Sequence, residues 1–148
     1  MELSFQIKTF QELTTTSLYE VLQLRAKVFV VEQNCNYQDV DGLDTKALHV
    51  LGYIDNHLIA YARCFAPGEY FPQAAIGRVL VEKNYRKENY GHRLLEETIK
   101  VIGTYYNTTS IKISAQEYLL KFYQQHGFKA IGDTYLEDNI PHRAMLKA

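Results

Sequence analysis

The residues best suited to chemistry lie between Ile76 and Tyr106. Ile76-Gly77-Arg78-Val79-Leu80-Val81-Glu82 reads as an aliphatic strand, and Arg86-Lys87-Glu88-Asn89-Tyr90-Gly91-His92 is a polar, basic turn. Gly91, Leu94, Leu95, Thr98, Ile102 and Tyr105 then recur at the helical period. A strand that enters a helix through such a turn points several free backbone N–H groups at one spot. The positive end of the helix dipole adds to them. That arrangement suits a phosphate or pyrophosphate. An ordinary strand-to-helix connection has the same outline, so the spelling of the turn and the rest of the chain must decide.

The elements that would position this turn can be read from both sides. Leu3, Phe5 and Ile7 alternate with polar residues and predict a first strand with one buried face. Ser17-x-x-Glu20 reads as a capping box, followed by Leu18, Val21, Leu22, Arg25, Val28 and Phe29 at helical spacing. Val28 to Val31 could instead bend towards an extended form. A long polar segment, Glu32 to Asp44, follows, and ordered loops of that length are often functional. Leu48–Asp55 and Leu58–Phe65 are strands joined by an Asn56-His57 hairpin turn. Beyond the central strand and helix, Ser110–Ala115 is a strand and Tyr118–His126 a helix, with Gly127 placed to end it. Ala130–Glu137 and Pro141–Lys147 form a closing hairpin around Asp138-Asn139. Three consecutive strands before the long helix predict antiparallel pairing. The strand–helix–strand passage after them predicts a crossover to a parallel neighbour, so the sheet is mixed and the class α/β.

Bulk properties exclude several functions. A chain of 148 residues, 47% apolar, fits one domain, residues 1–148, with a real core. A net charge of −1 leaves no nucleic-acid footprint. Two cysteines, Cys35 and Cys64, are too few for a disulfide framework, and Met1-Glu2-Leu3-Ser4-Phe5 lacks the marks of a signal peptide. No apolar run is long enough to span a bilayer. The expectation is a soluble, cytoplasmic protein with no membrane or nucleic-acid partner. His49, His57, His92 and His126 show no ligand spacing, which predicts no metal. Asp39, Asp41 and Asp44 do not follow a calcium loop, and loop capping is their expected task, ahead of contact with a cationic acceptor.

The turn Arg86-x-x-Asn89-x-Gly91, after Val79-Leu80-Val81, resembles the Arg/Gln-x-x-Gly-x-Gly/Ala signature of the GCN5-related N-acetyltransferases. Asn89 stands where the first glycine usually is, and Asn tolerates left-handed backbone angles. Phe122-Tyr123-x-x-x-Gly127-Phe128 is similar to a second segment of that family. Arg25 to Cys35, Tyr37 to Gly42 and Ile140-Pro141-His142 resemble its ElaA-like branch, so the likeness runs through nearly the whole chain.

The resemblance implies a mixed, mostly antiparallel central sheet of about seven strands, flanked by helices and splayed in the middle. It implies acetyl-CoA as co-substrate, no metal, and direct transfer of acetyl to a primary amine, small-molecule or protein, in a ternary complex. It admits a homodimer. The turn Arg86, Lys87, Glu88, Asn89, Tyr90, Gly91 and His92 would hold the pyrophosphate, and Val79, Leu80 and Val81 the pantetheine arm. Tyr123 would protonate the departing thiolate. The family's usual strand glutamate is missing from Gln73-Ala74-Ala75-Ile76-Gly77-Arg78. The candidate bases are therefore Glu32, which opens the polar loop, His142 on the closing hairpin, and Glu82, with ordered water as a further option. The missing carboxylate also supports a rival reading, a non-catalytic acyl-CoA-binding or regulatory module on the same fold.

Overall fold

A computed structural model describes residues 2–148. Seven strands and three α-helices follow one another as β1 (Ser4–Thr9), α1 (Thr15–Arg25), β2 (Leu48–Ile54), β3 (His57–Phe65), β4 (Ala74–Val81), α2 (Tyr90–Tyr106), β5 (Ile111–Gln116), α3 (Leu120–Gln124), β6 (Lys129–Glu137) and β7 (Ile140–Lys147). The sheet order is β1-β2-β3-β4-β5-β7-β6, antiparallel except between β4 and β5. Helices α2 and α3 pack on one face. Leu94, Leu95, Val101 and Ile102 of α2 share one core with Ile59 and Cys64 of β3, Ile76 of β4, Ile111, Ile113 and Ala115 of β5, and Tyr123 and Phe128. On the other face Val21, Leu24, Val28 and Phe29 cover Leu51, Tyr61 and Leu80. Among the described residues no helix is long and apolar enough to cross a membrane.

The sheet opens in its middle. β4 and β5 pair only through Ala74–Ala75 and Ile111–Lys112. From Ile76 onward the β5-facing edge of β4 has no strand partner. A bulge steers the strand away: two residues, Arg78 and Val79, lie opposite Ala62 of β3, and Arg78 takes φ +52°. That left-handed angle is costly for a non-glycine residue and marks a point where surrounding contacts hold the backbone.

Several local readings need correction. The cap of α1 is Thr14, whose hydroxyl accepts from Ser17 N at 3.0 Å while Ser17 Oγ accepts from Thr14 N at 2.9 Å, so Ser17 serves at the third helical position rather than as the cap. Val28 to Val31 do not become extended. The helix continues as a wide π-helical segment, Ala26–Glu32, a form that often accompanies function. The first hairpin turns at Asp55-Asn56, both with positive φ, and His57 already belongs to β3. Tyr105, expected on the buried face of α2, is exposed, and Tyr106 packs on the core instead.

The aspartates of the polar loop do more than cap turns. Asp39, Asp41 and Asp44 bind three arginines from three elements. Arg25 donates to Asp39 at 2.9 Å and to Asp44 at 2.7 Å. Arg63 donates to Asp44 and to Asp41 Oδ1, both at 2.9 Å. Arg78 donates to the Asp39 carbonyl at 3.0 Å. Arg25 and Arg63 are almost wholly buried, so each charge must be matched. Burial pushes the Asp44 carboxyl up, but Arg25 and Arg63 outweigh it and hold it below its usual value. His49, also buried, donates from Nε2 to the Asp44 carbonyl at 2.9 Å and accepts from the Tyr61 hydroxyl at 2.6 Å. This network pins the loop onto the sheet and, through Arg78, onto the bulge of β4.

Candidate active site

A cleft of about 440 Å³ lies where β4 and β5 diverge. One wall is β4 from Ile76 to Val81; the other is Ile113, Ser114 and Gln116 of β5. The end of the π-helical segment roofs one side, and Leu119, Phe122 and Tyr123 close the other. Gln33 and Gln116 exchange amide hydrogen bonds at 3.3 Å from opposite walls, and the Cys35 thiol donates 3.3 Å to the Asp138 carbonyl. These contacts tie the loop after the π-helical segment to the C-terminal half of the sheet.

The turn lies at one end of this cleft. Lys83–Glu88 forms a 3₁₀ segment, and Asn89 then turns left-handed at φ 64° to start α2. Among the described residues no side chain caps α2. Its first amides, those of Tyr90, Gly91 and His92, therefore have no acceptor within the helix and are available to an anion. Gly91 lines the cleft, and a Cβ there would meet the Phe122 ring at 3.4 Å, an ordinary contact. Of the expected cofactor residues, Val79, Leu80, Val81, Arg86 and Gly91 line the cleft. Lys87, Glu88, Asn89, Tyr90 and His92 do not. The His92 ring has Nδ1 2.8 Å from Nε2 of His126, on which it stacks, and lies tilted against Phe122.

Arg86 is engaged within the protein. Its Nε donates to the Val81 carbonyl at 2.8 Å, and both terminal nitrogens donate to Glu32, one of them at 2.8 Å. The Arg86 hydrogen bonds hold the Glu32 carboxyl below its ordinary value. Glu32 thus lines the cleft as the paired partner of an arginine, which makes it a weak base. Glu82 lies outside the cleft lining: its carboxylate accepts from Lys27 at 3.0 Å and has His57 at 3.6 Å.

His142 is the third candidate, and it too lines the cleft. Its register opposite Gln116 on β5 and Tyr135 on β6 places it beside Ser114 and Glu137. Nδ1 is 2.7 Å from the Ile140 carbonyl. A carbonyl only accepts, so Nδ1 carries the proton and the neutral ring presents an unprotonated Nε2. Tyr123 sits across the cleft on α3, almost fully buried and edge-on to Phe122 and Phe128. Burial pushes its phenol well above the usual value, so it keeps its proton at neutral pH. Among the described residues its hydroxyl has no hydrogen-bond partner.

Glu137 escaped the sequence reading. The signal was present: a two-residue turn at Asp138-Asn139 places Tyr135 opposite His142, and Glu137 then shares the face of Tyr135.

Residues 21–148 match the family model described as an acetyltransferase (GNAT) domain. The chain is 40% identical over 138 residues to protein ElaA of Escherichia coli K12, covering 92% of this chain and 90% of that one. The crystal structure of E. coli ElaA superposes with a TM-score of 0.93, covering 99% of this chain and all of that one. An acyl-CoA N-acyltransferase from Pseudomonas aeruginosa gives 0.92 at 39% identity, with coverage of 98% and 99%. At 16% identity, an aminoglycoside 6'-N-acetyltransferase solved with coenzyme A shares the fold, with a TM-score of 0.70 and 96% of each chain covered. The splayed sheet and its cleft are thus those of an acyltransferase, and the chain belongs to the GCN5-related N-acetyltransferase family, in its ElaA-like branch.

Proposed function

We propose that the protein transfers an acetyl group from acetyl-CoA directly to a primary amine, with both substrates bound at once. The observation that carries this reading is the cleft between β4 and β5, which has the free amides of α2 at one end and His142 at the other. The pyrophosphate of the co-substrate would meet those amides, and its pantetheine arm would take the strand-pairing positions that β5 leaves vacant along Val79–Val81. A complex of a distant relative with coenzyme A supports the same use of the fold. Backbone N–H near Leu80 would polarise the thioester carbonyl where negative charge develops.

His142 is the base that the geometry favours over Glu32 and Glu82. Its Nε2 lone pair faces the cleft, whereas the two carboxylates are held by Arg86 and Lys27. Tyr123 would supply the proton to the departing thiolate. The test is release of free thiol from acetyl-CoA by purified protein across a panel of primary amines, with products identified by mass. Turnover that falls at least about a hundredfold in His142→Ala, with acetyl-CoA affinity retained, supports the assignment. Tight binding of acetyl-CoA without turnover of any amine would favour the non-catalytic module.

A further inference from the structure

We propose that the carboxylate of Glu137 is the docking group for the acceptor, holding an aliphatic amine as its ammonium ion beside His142, so that the site selects amines with additional positive charge and rejects those that carry a carboxylate. This rests on the amine-acylation reading above and extends it to a substrate class.

The charge balance of the cleft carries the first part. Its charged lining residues are Glu32, Arg78, Arg86, Glu137 and Asp138. Arg86 is consumed by Glu32, and Arg78 by Asp39 and Asp41 of the loop network. Among the described residues Glu137 and Asp138 have no arginine or lysine partner. The end of the cleft at the β6–β7 turn is therefore negative, which favours a cation there.

The second part is geometric. Glu137 Oε1 accepts from the Ser114 hydroxyl at 3.2 Å. With that proton committed, the Tyr135 phenol donates to Ser114. One carboxylate oxygen is thus fixed by the fold, and the other is left for a ligand. Oε2 lies 3.6 Å from His142 Nε2, too far for a hydrogen bond between them. A nitrogen about 2.8 Å from each would complete the triangle, since charge-assisted bonds take that length. His142 is itself buried, and among the described residues its Nε2 has no other partner. The ring of Tyr135, stacked 6.1 Å from the imidazole, forms the wall behind it.

The proton count then closes. The bound ammonium gives one proton to Nε2, which passes it to water. The free amine attacks the thioester carbon, the C–N bond forms, and the C–S bond breaks as the second nitrogen proton is lost. Tyr123 protonates the thiolate and recovers that second proton. The sum is an ammonium ion and an acyl thioester going to an amide, a free thiol and one released proton.

The test uses acceptors of matched length and different charge: 1,4-diaminobutane, n-butylamine and 4-aminobutanoate, with hydroxylamine as a nucleophile that is neutral at the assay pH. The wild-type protein is expected to rank kcat/KM in that order for the first three. Glu137→Gln should raise KM for the diamine tenfold or more with a smaller change in kcat, and should lower hydroxylamine turnover by a clearly smaller factor; Glu137→Asp should retain part of the preference. Equal use of 4-aminobutanoate and the diamine, or an equal loss for hydroxylamine and the diamine in Glu137→Gln, overturns the proposal. Titration of 1,4-diaminobutane into the coenzyme A-loaded protein, followed by NMR, reads the site without turnover. Binding that weakens tenfold in Glu137→Gln supports the ammonium site even where no thiol is released, which would refute acyl transfer alone; failure of the wild-type protein to bind the diamine refutes the site.

Discussion

Arg86 and Glu32 form a two-pronged ion pair across one end of the cleft, joining the turn before α2 to the end of the π-helical segment. Residues 54 positions apart are thus coupled at the place where the sequence motif and the polar loop meet. The pair removes Glu32 from acid–base work, because a carboxylate held low by a guanidinium accepts a proton poorly. Glu32→Gln is therefore expected to lower turnover by no more than about threefold, far less than the ~100-fold loss of a general base. Steady-state kinetics across pH check this. If the acidic limb of the profile disappears in Glu32→Gln, the base is Glu32.

Gly91 answers to packing as much as to the ligand. A methyl group there would just touch Phe122 at 3.4 Å, whereas valine adds two further methyl groups beside Phe122 and Val81. Gly91→Ala should leave acetyl-CoA binding nearly intact. Gly91→Val should push the first turn of α2 off its position and weaken binding at least tenfold, or about 1.4 kcal/mol. Arg86→Ala should cost less, because backbone amides supply most of the contact. Calorimetric titration separates the three; unchanged affinity in folded Gly91→Val would remove the turn from the binding site.

The loop network should matter for stability. Asp44 joins Arg25 and Arg63, and Asp44→Ala would leave two buried guanidinium groups short of a counter-charge. Breaking a buried pair from one side costs about 3–5 kcal/mol. Urea unfolding should register a loss of that order, and activity should fall with it because Arg78 ties the same loop to the bulge of β4. A loss under about 1 kcal/mol would show that the loop is held by other contacts.

Much of the fold was legible in the sequence because the signals were local. Alternation in β1, the 3.6-residue stripe of α2 and the paired turn residues Asp138-Asn139 each lie within one element. The spelling of the turn after β4 and of the Phe122–Phe128 segment located the cleft. What could not be read depends on separation or on shape. The partners of Asp39, Asp41 and Asp44 lie 14 to 39 positions away on three different elements. The π-helical segment obeys the same apolar pattern as an α-helix, so periodicity cannot distinguish them. The bulge at Arg78 breaks no sequence rule, yet it aims the cleft. Glu137 enters the sequence only as the last residue of a strand, and its neighbours Ser114 and His142 come from pairing across β7.

Acid should loosen the fold in the range where histidines titrate. Burial, and then the positive charge of His92, depress His126, while burial depresses His49. A histidine whose folded value is lowered binds fewer protons folded than unfolded, so stability rises with pH across that window. The contribution is complete above about 6.5, the unfolded value, and is lost as pH falls through the folded values. Thermal unfolding should thus show a falling Tm between about pH 6.5 and 5, before the carboxylates titrate. His126→Gln should flatten part of that slope. A Tm independent of pH over this interval would mean that neither ring is perturbed in solution.

Tyr123 offers the sharpest test of the chemistry. Its ring is part of the core, packed edge-on to Phe122 and Phe128, while its hydroxyl has no partner among the described residues. Tyr123→Phe keeps the ring and removes only the proton donor, so the fold and acetyl-CoA affinity should survive. The phenol, raised by burial, holds its proton until a stronger base appears, and a nascent thiolate beside it would be such a base. A positioned acid contributes roughly 10²–10⁴-fold, so kcat should drop by that amount. A fall in kcat and kcat/KM together marks an interaction made in the transition state rather than the ground state. An aryl thioester of similar shape provides a second reading. Its thiolate leaves without protonation, so Tyr123→Phe should process it at close to the wild-type rate. If Tyr123→Phe turns over acetyl-CoA normally, the thiolate takes its proton from water, and Tyr123 remains only a wall of the core.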